Sequence, residues 1–253
     1  MTAYPKGLRM LMKGALRLIY PPQCMACAAT VDEDGGLCPA CWRDAEFISG
    51  ASCSQCGAPL PHGGGADDED APFACDDCLA RARPWIGARA AVVYRGTGRK
   101  LAMMLKHGDR IDLAPHLGDW VARAAEPLVR PEMIVTAVPV PLRRLMRRKY
   151  NQASLLSARV ARAYGLAHYP DLLRRTRNSP PQEQRSLEAR FENQEGAIAM
   201  PARHAALVRG RPVLLVDDVM ASGATLAACA DCLAGHGAGP ISVAVLARAV
   251  KDT

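Results

Sequence analysis

The chain has 253 residues, a formal net charge of +7 and a pI of about 9.0, and 49% of its residues are hydrophobic. This length predicts one large or two small domains, and because only 5% of the residues are aromatic, we expect an aliphatic core. No apolar run reaches the ~20 residues of a membrane span, which argues against an integral membrane protein, while the positive charge permits phosphate or nucleic-acid ligands.

The first predicted element is a basic amphipathic helix within residues 1–21, over about residues 6–20. Its basic side chains recur at spacings of three and four, and Pro21-Pro22 ends it. Such a helix suits either a membrane surface or a packed position on the protein with its charges in water, and we favour the packed position. Charges interrupt its apolar residues and no small-residue cleavage site follows, so a signal peptide is not expected.

Cysteines define the next region, residues 22–85, which is predicted to be a double zinc ribbon. Four of the five C-x-x-C pairs lie here, and each can form a knuckle, a tight turn that presents two thiolates to one tetrahedral ion. Short spacers favour one site from the first two pairs and another from the next two, although crossed pairing, redox pairs or unmetallated thiols are alternatives. The predicted Zn²⁺ ligands are Cys24, Cys27, Cys38, Cys41, Cys53, Cys56, Cys75 and Cys78.

These ribbons are expected to be structural or docking modules, because a closed all-thiolate site leaves no coordination position for a substrate. Reduced thiolates and the lack of a visible signal peptide favour a cytoplasmic location. Residues 61–72, with three glycines and four acidic residues, predict a flexible loop inside the second ribbon. The fifth pair, Cys229 and Cys232, lies in a later predicted helix and is interpreted as core packing.

Residues 86–253 alternate strands with helices, which predicts an α/β fold with a doubly wound, mostly parallel sheet. The predicted strands cover residues 90–94, 133–138, 213–216 and 241–246, and the predicted helices cover residues 99–107, 117–129, 154–164 and 225–235. Residues 172–191 are long, polar and weakly periodic, which is typical of either a lid beside a site or a surface excursion.

A basic loop follows the second of these strands, between Arg143 and Lys149. Its place at a strand's carboxyl end favours anion binding, either of pyrophosphate or of a nucleic-acid backbone, because arginine can grip phosphate oxygens bidentately. A solvated basic face is the alternative. The candidate ligands in this loop are Arg144, Arg147, Arg148 and Lys149.

The most informative stretch is Val213 to Thr225, where an apolar strand is followed by two acids, a loop of small residues and a helix. Ligands of open α/β sheets bind just beyond the carboxyl ends of strands. The loop amides and the helix N-terminus suit a phosphate, and Asp217 and Asp218 can accept hydrogen bonds from sugar hydroxyls. Together they predict a ribose 5-phosphate site, whose phosphate-binding candidates are Ala221, Ser222, Gly223, Ala224 and Thr225.

This stretch, V-D-D-V-M-A-S-G-A-T, resembles the phosphoribosyl pyrophosphate (PRPP) motif of type I phosphoribosyltransferases. The wider chain resembles the ComF family, which joins an N-terminal zinc ribbon to a phosphoribosyltransferase-type domain. Besides the knuckles, the resemblance rests on Pro21-Pro22-x-Cys24, Lys106-x-Gly108, Val138-Pro139-Val140-Pro141, Asn151-Gln152, Gln182, Arg190, Asn193 and Gly196-Ala197. Two positions depart from the family: Lys149 stands where Gly is usual, and Ile198 where Phe is common.

The resemblance implies that Asp217 and Asp218 hold the ribose hydroxyls, that residues 221–225 hold the 5-phosphate, and that residues 141–151 lie near pyrophosphate. An enzyme of this kind would transfer a phosphoribosyl group to a nucleophile, and Mg²⁺ would help to neutralise the leaving pyrophosphate. The alternative is a non-enzymatic competence and DNA-uptake factor that binds single-stranded DNA or a helicase-like partner. The scarcity of aromatic residues argues against a base-stacking platform.

Overall fold

The computed structural model describes residues 17, 20–60, 73–108, 110–176 and 196–250. Most of the predicted N-terminal helix, the acidic loop at residues 61–72, and Gln182, Arg190 and Asn193 lie outside these ranges. None of the helices in the described ranges has the length and apolarity of a membrane span.

The cysteine region folds as two similar ribbons. In each ribbon the amide of the first cysteine donates to the carbonyl five residues later at 2.7 Å, and the residue four positions after that cysteine adopts a left-handed conformation, Ala28 with φ 63° and Gly57 with φ 68°. Glycine suits the second position, because a Cβ there would lie 2.8 Å from the amide nitrogen of Ala90. The third cysteine of each ribbon precedes a short helix, α1 (Pro39–Asp44) or α2 (Asp76–Ala80).

A five-stranded parallel sheet forms the centre of the remaining chain, in the order β1-β7-β6-β2-β3. Its strands are β1 (Gly87–Val93), β2 (Ile134–Ala137), β3 (Ala167–His168), β6 (Val213–Met220) and β7 (Ile241–Arg248). A separate antiparallel pair is formed by β4 (Arg174–Arg175) and β5 (Ile198–Ala199).

Helices cover both faces of this sheet, as expected for a doubly wound α/β fold. They are α3 (Gly96–His107), α4 (Ala114–Ala125), α5 (Leu142–Arg148), α6 (Gln152–Tyr164), α7 (Ala205–Val208) and α8 (Ala224–Gly235), with 3₁₀ turns at Ile111–Leu113, Glu126–Leu128 and Ala202–His204. Successive strand residues point to opposite faces. Leu214 therefore packs with Leu117 and Leu156, whereas the adjacent Leu215 packs with Leu226 on the other face.

The two ribbons share these cores instead of standing apart. Cys24 and Met25 of the first ribbon belong to the same buried cluster as Leu101 of α3. Cys53 and Cys56 of the second ribbon belong to the opposite cluster, in which the indole nitrogen of the buried Trp85 donates to the carbonyl of Gln55 at 2.7 Å. The cysteine region is consequently stabilised by burial as well as by any bound metal.

The strand that carries the paired acids is longer than the sequence predicted. We expected it to end at Val216, yet β6 continues to Met220, because Asp217, Val219 and Met220 remain paired with β7. Its pairing with β2 does stop at Val216. The acids therefore lie on the part of β6 that still pairs with β7 on one edge but no longer pairs with β2 on the other. The predicted basic loop likewise contains a helix, α5.

Candidate functional site

The paired acids lie beside the point where β2 leaves the sheet. Asp218 is 8% exposed and Asp217 is partly exposed. Each carboxylate accepts a hydrogen bond from the next backbone amide, at 2.8 Å in both cases. These bonds fix the side chains but leave the outer oxygens available. Burial and the neighbouring Asp218 together raise the pKa of Asp217 well above its ordinary value.

A short loop joins the acids to α8. Gly223 lies at the N-cap position of that helix with φ 80°, in the left-handed region that favours glycine. The Ser222 hydroxyl oxygen accepts from the amide of Ala224 at 3.4 Å. The N-terminus of α8, with the positive end of the helix dipole, therefore begins at this loop, and Thr225 of its first turn lines the space in front of β6.

That space is a cleft of ≈ 590 Å³, and its walls come from separate parts of the chain. Six residues predicted for the ligand site line it, namely Asp217, Asp218, Ala221, Thr225, Arg144 and Arg148. The other five, Ser222, Gly223, Ala224, Arg147 and Lys149, do not line it. The cleft therefore brings the acids, part of the small loop and two cations of the basic segment to one place.

Further cations reach the cleft from elements that the sequence did not single out. Lys106 comes from the end of α3, and its Nζ lies 3.7 Å from Oδ2 of Asp218. Arg99 of α3 and Arg175 of β4 also line the cleft. Lys106 had a signal in the sequence, the Lys106-x-Gly108 feature of the family resemblance. Arg175 lies in residues 172–191, for which a lid beside a site was one of the two predictions. An arrangement with acids on one wall and cations on the others suits a ligand that carries hydroxyls and several phosphates.

Arg148, on the cleft wall, is held by a neutral histidine. Nη2 of Arg148 donates to Nδ1 of His107 at 3.0 Å. Burial, and then the charge of Arg148, lower the pKa of His107, so that its ring stays neutral at pH 7 and can accept this bond. Burial also lowers the pKa of Arg148, with the nearby charge of Arg144 contributing. Such crowding of positive charge favours an anionic ligand.

The residues between α5 and α6 hold this wall in place. The Asn151 side chain caps α6 by accepting from Ala153 at 3.1 Å, and its amide donates to the carbonyl of Val138 at 3.0 Å. The Tyr150 hydroxyl donates to the carbonyl of Leu105 at 2.9 Å. Lys149, just before them, has φ 64° at the end of α5. The usual glycine of the family would adopt this conformation more readily, and lysine adopts it here at some conformational cost.

Two sets of four cysteines form separate candidate metal centres. The grouping is the one that short spacers favoured: Cys24, Cys27, Cys38 and Cys41 in the first set, and Cys53, Cys56, Cys75 and Cys78 in the second. Within each set the sulfur atoms lie within 4.8 Å of one another, and one pair in each set is 3.6 Å apart. A tetrahedral ion with Zn–S bonds of ~2.3 Å places its sulfurs roughly 3.8 Å apart. Both sets therefore fit structural zinc.

Comparison with known proteins gives two domain matches. Residues 15–79 match the double zinc ribbon domain, and residues 153–253 match the phosphoribosyl transferase domain. A solved structure of the allosteric regulatory enzyme of purine biosynthesis is 19% identical with a TM-score of 0.38, over 57% of this chain and 30% of the solved chain.

Among curated proteins, the DNA utilization protein YhgH of Escherichia coli K12 is 30% identical over 219 residues, which cover 84% of this chain and 90% of that protein. YhgH of Salmonella typhimurium is 29% identical over 96% of this chain and 97% of its own length. Competence protein F of Haemophilus influenzae is 27% identical over 90% of this chain and 97% of its own length. With these relatives and with both domain types present, the chain belongs to the ComF family.

Proposed function

We propose that the cleft binds PRPP together with Mg²⁺ and that the chain is a phosphoribosyltransferase for a nucleophile still to be identified. The observation that carries the proposal is the composition of the cleft. Paired acids on β6, Ala221 and Thr225 at the two ends of the small loop, and a set of cations from three other elements face one space. PRPP presents a ribose, a 5-phosphate and a pyrophosphate, which need these three kinds of partner.

Each wall has its own role in this proposal. Asp217 and Asp218 accept hydrogen bonds from the ribose hydroxyls, and the amides of residues 221–225 bind the 5-phosphate. Arg144, Arg148 and Lys106 face the pyrophosphate. The nucleophile forms a bond to C1 of the ribose as the C1–O bond breaks, and pyrophosphate leaves with the electron pair. Carboxylate oxygens suit Mg²⁺, which supplies charge neutralisation for the leaving group when bound.

The test is calorimetric titration of the whole protein with PRPP, in the presence and absence of Mg²⁺. We expect saturable binding that ribose 5-phosphate competes for more weakly, because it lacks the pyrophosphate. No binding at millimolar PRPP would overturn the proposal. Pyrophosphate release measured with different nucleophiles would then separate an enzyme from a protein that only binds PRPP.

Lys106 offers a specific prediction within this proposal. Lys106→Met is expected to weaken PRPP binding roughly tenfold, since about 1.4 kcal/mol corresponds to a factor of ten and charge-assisted hydrogen bonds contribute on this scale. Lys100→Met, which removes an exposed lysine from the same helix, is the matched control and should bind like the wild type. Equal affinities of the two variants for PRPP would show that Lys106 does not contribute to PRPP binding.

Single-stranded DNA binding is a second candidate function, favoured by the surface of α5. None of its seven residues is buried, and four of them are arginines. Its apolar side chains are in solvent too, since Leu142 and Met146 are 65% and 66% exposed. A helix with charged and apolar side chains in solvent suits a nucleic-acid backbone or another partner. The names of the YhgH and competence protein F relatives agree with this function.

Both proposals include the same domain division and location. The ribbon covers residues 22–85, the transferase domain covers residues 86–253, and the protein is cytoplasmic.

DNA binding can be tested without disturbing the cleft. Arg143 and Arg147 lie on α5 but do not line the cleft. Replacing both with glutamine is expected to lower the slope of log affinity against log salt by about 1.4, since each lost phosphate contact removes roughly 0.7 for a single strand. PRPP binding should stay unchanged. Fluorescence anisotropy across salt concentrations measures the slope, and an unaltered slope would exclude α5 from DNA binding.

A further inference from the structure

Two arginines connect the second cysteine set to the loop before α8. Arg248, at the end of β7, is 4% exposed. Its Nη2 lies 3.6 Å from Sγ of Cys56. Its Nη1 donates to the carbonyls of Ala221 at 2.8 Å and Met220 at 3.2 Å. One guanidinium thus contacts a proposed zinc ligand on one side and the backbone of the proposed phosphate loop on the other.

Arg83 makes a second connection from the same side. It lies beyond α2, in the same ribbon as Cys78 and just before Trp85. Its Nη1 donates to the carbonyl of Ser222 at 2.8 Å, and its guanidinium lies 5.8 Å from the ring centre of Trp85. The carbonyls of three successive residues, 220, 221 and 222, are therefore held by two arginines on the side of the second ribbon. Arg248 contacts Cys56 of the second cysteine set, and Arg83 belongs to the same ribbon as Cys78.

The direction of these carbonyls decides the direction of the loop amides. In a planar trans peptide, the carbonyl of one residue and the amide of the next point opposite ways. Because the arginines bind the carbonyls of residues 220–222 on the ribbon side, the amides of residues 221–223 point away from the ribbon. These are amides that the proposed function assigns to the 5-phosphate.

We infer that Arg83 and Arg248 are positioning residues, through which the second zinc centre orients the amides of the phosphate loop. This inference rests on the proposed PRPP site. A metal ion in the second centre would fix Cys56, which contacts Arg248, and Cys78, which lies in the ribbon that carries Arg83. The loop carbonyls hold the other side of both guanidiniums. Since coupling between two sites is reciprocal, phosphate binding at the loop also favours the metal-loaded state of this centre.

The first zinc centre is the internal control for this inference. Its cysteines pack in the other buried cluster, with Leu101 and Leu117 on the opposite face of the sheet. Cys75→Ser in the second centre is therefore expected to loosen the loop, whereas Cys27→Ser in the first centre is expected to leave the loop as it is. A general loss of stability would affect the loop equally in both variants.

The arginines are tested by hydrogen exchange of residues 220–225, followed by mass spectrometry without any ligand. Arg83→Met and Arg248→Met are expected to speed exchange there roughly tenfold and to weaken PRPP binding by a similar factor. Arg83→Lys should recover part of both, because an ammonium can still donate to the Ser222 carbonyl. Arg211→Met is the control, since Arg211 donates at 2.9 Å to the Glu132 carbonyl near the other end of β6.

The results separate this inference from the proposed function. If the wild type binds no PRPP but the Arg83 variants still loosen the loop, the PRPP proposal fails and the positioning role stands. If PRPP binds and loop exchange in Arg83→Met equals that of Arg211→Met, the positioning role is overturned. Should Arg248→Met not fold because this side chain is buried, Arg83→Met decides the question, since Arg83 is only partly buried. Equal loosening by Cys27→Ser and Cys75→Ser would also overturn the inference.

Discussion

Replacement of Asp217 and Asp218 together by asparagine is expected to weaken PRPP binding by roughly 10² to 10⁴-fold. Hydrogen bonds to charged groups contribute about 1.5–3 kcal/mol each, and the two losses combine to a factor of this size. Asparagine keeps the shape of each side chain and one acceptor oxygen for the backbone amides at 2.8 Å. The change thus removes charge more than packing. Calorimetry with PRPP and Mg²⁺ measures the loss.

The stability of this double variant distinguishes a lost site from a lost fold. The pKa of Asp217 is raised by burial and by Asp218. A carboxyl group with a raised folded pKa stabilises the protein below its unfolded pKa, and that contribution is lost as the pH rises through the folded pKa. At pH 8 the raised pKa of Asp217 therefore lowers the free energy of unfolding of the wild type, and asparagine removes this loss of stability. The variant should unfold at a temperature at least as high as that of the wild type.

A matched control is available on the next helix. Asp231 is exposed on α8, and Asp231→Asn removes one carboxylate without touching the cleft. It should bind PRPP as the wild type does. Wild-type affinity in the double variant, with the same thermal stability, would show that the paired acids do not hold the ribose.

The order of elements around β6 could be predicted from the sequence because its signal is local. An apolar strand, two acids, small residues and a helix follow one another between Val213 and Gly235, so their spacing alone places them at one edge of a sheet. The predicted end of the strand, at Val216, was wrong, because two charged residues such as Asp217 and Asp218 usually mark the end of a buried strand. Pairing with β7 continues the strand past them, and pairing of this kind is a tertiary effect that a local pattern does not contain.

The opposite wall of the cleft was harder to predict because its parts come from distant positions. Arg175 lies on a two-residue strand with no periodicity to mark it. Lys106 lies in the last turn of α3, where only the Lys106-x-Gly108 feature of the family resemblance marks it. The contact between Arg248 and Cys56 spans 192 positions in sequence, and that between Arg83 and Ser222 spans 139. A single sequence gives no sign of such pairs. The basic segment is recognisable in the sequence as a charge cluster, and Leu142, Leu145 and Met146 follow helical spacing within it, but seven residues are too short a run for this periodicity to predict a helix.

Removal of zinc is expected to have the largest effect on the fold. Structural zinc contributes about 10–16 kcal/mol in small zinc-finger peptides at pH 7, and the ribbons have little apolar core of their own. Stripping the metal with a chelator should lower the unfolding temperature by roughly 10 °C or more and expose the amides of residues 22–60 to exchange. Elemental analysis of the untreated protein should give two zinc ions per chain, one for each cysteine set.

The ribbon cysteines can be separated from the other thiols of the chain by substitution. Cys232→Ser changes a partly buried cysteine of α8 that belongs to neither set, and it should keep both ions. Cys41→Ser should release one ion and lower the unfolding temperature, because three thiolates no longer close the tetrahedron. A ratio of about one zinc ion per chain in the wild type would show that only one of the two proposed centres binds zinc. Since Cys24 packs with Leu101 and Cys53 lies in the cluster of Trp85, loss of either ion is expected to loosen its own ribbon and the packing of that ribbon on the face of the sheet that it contacts.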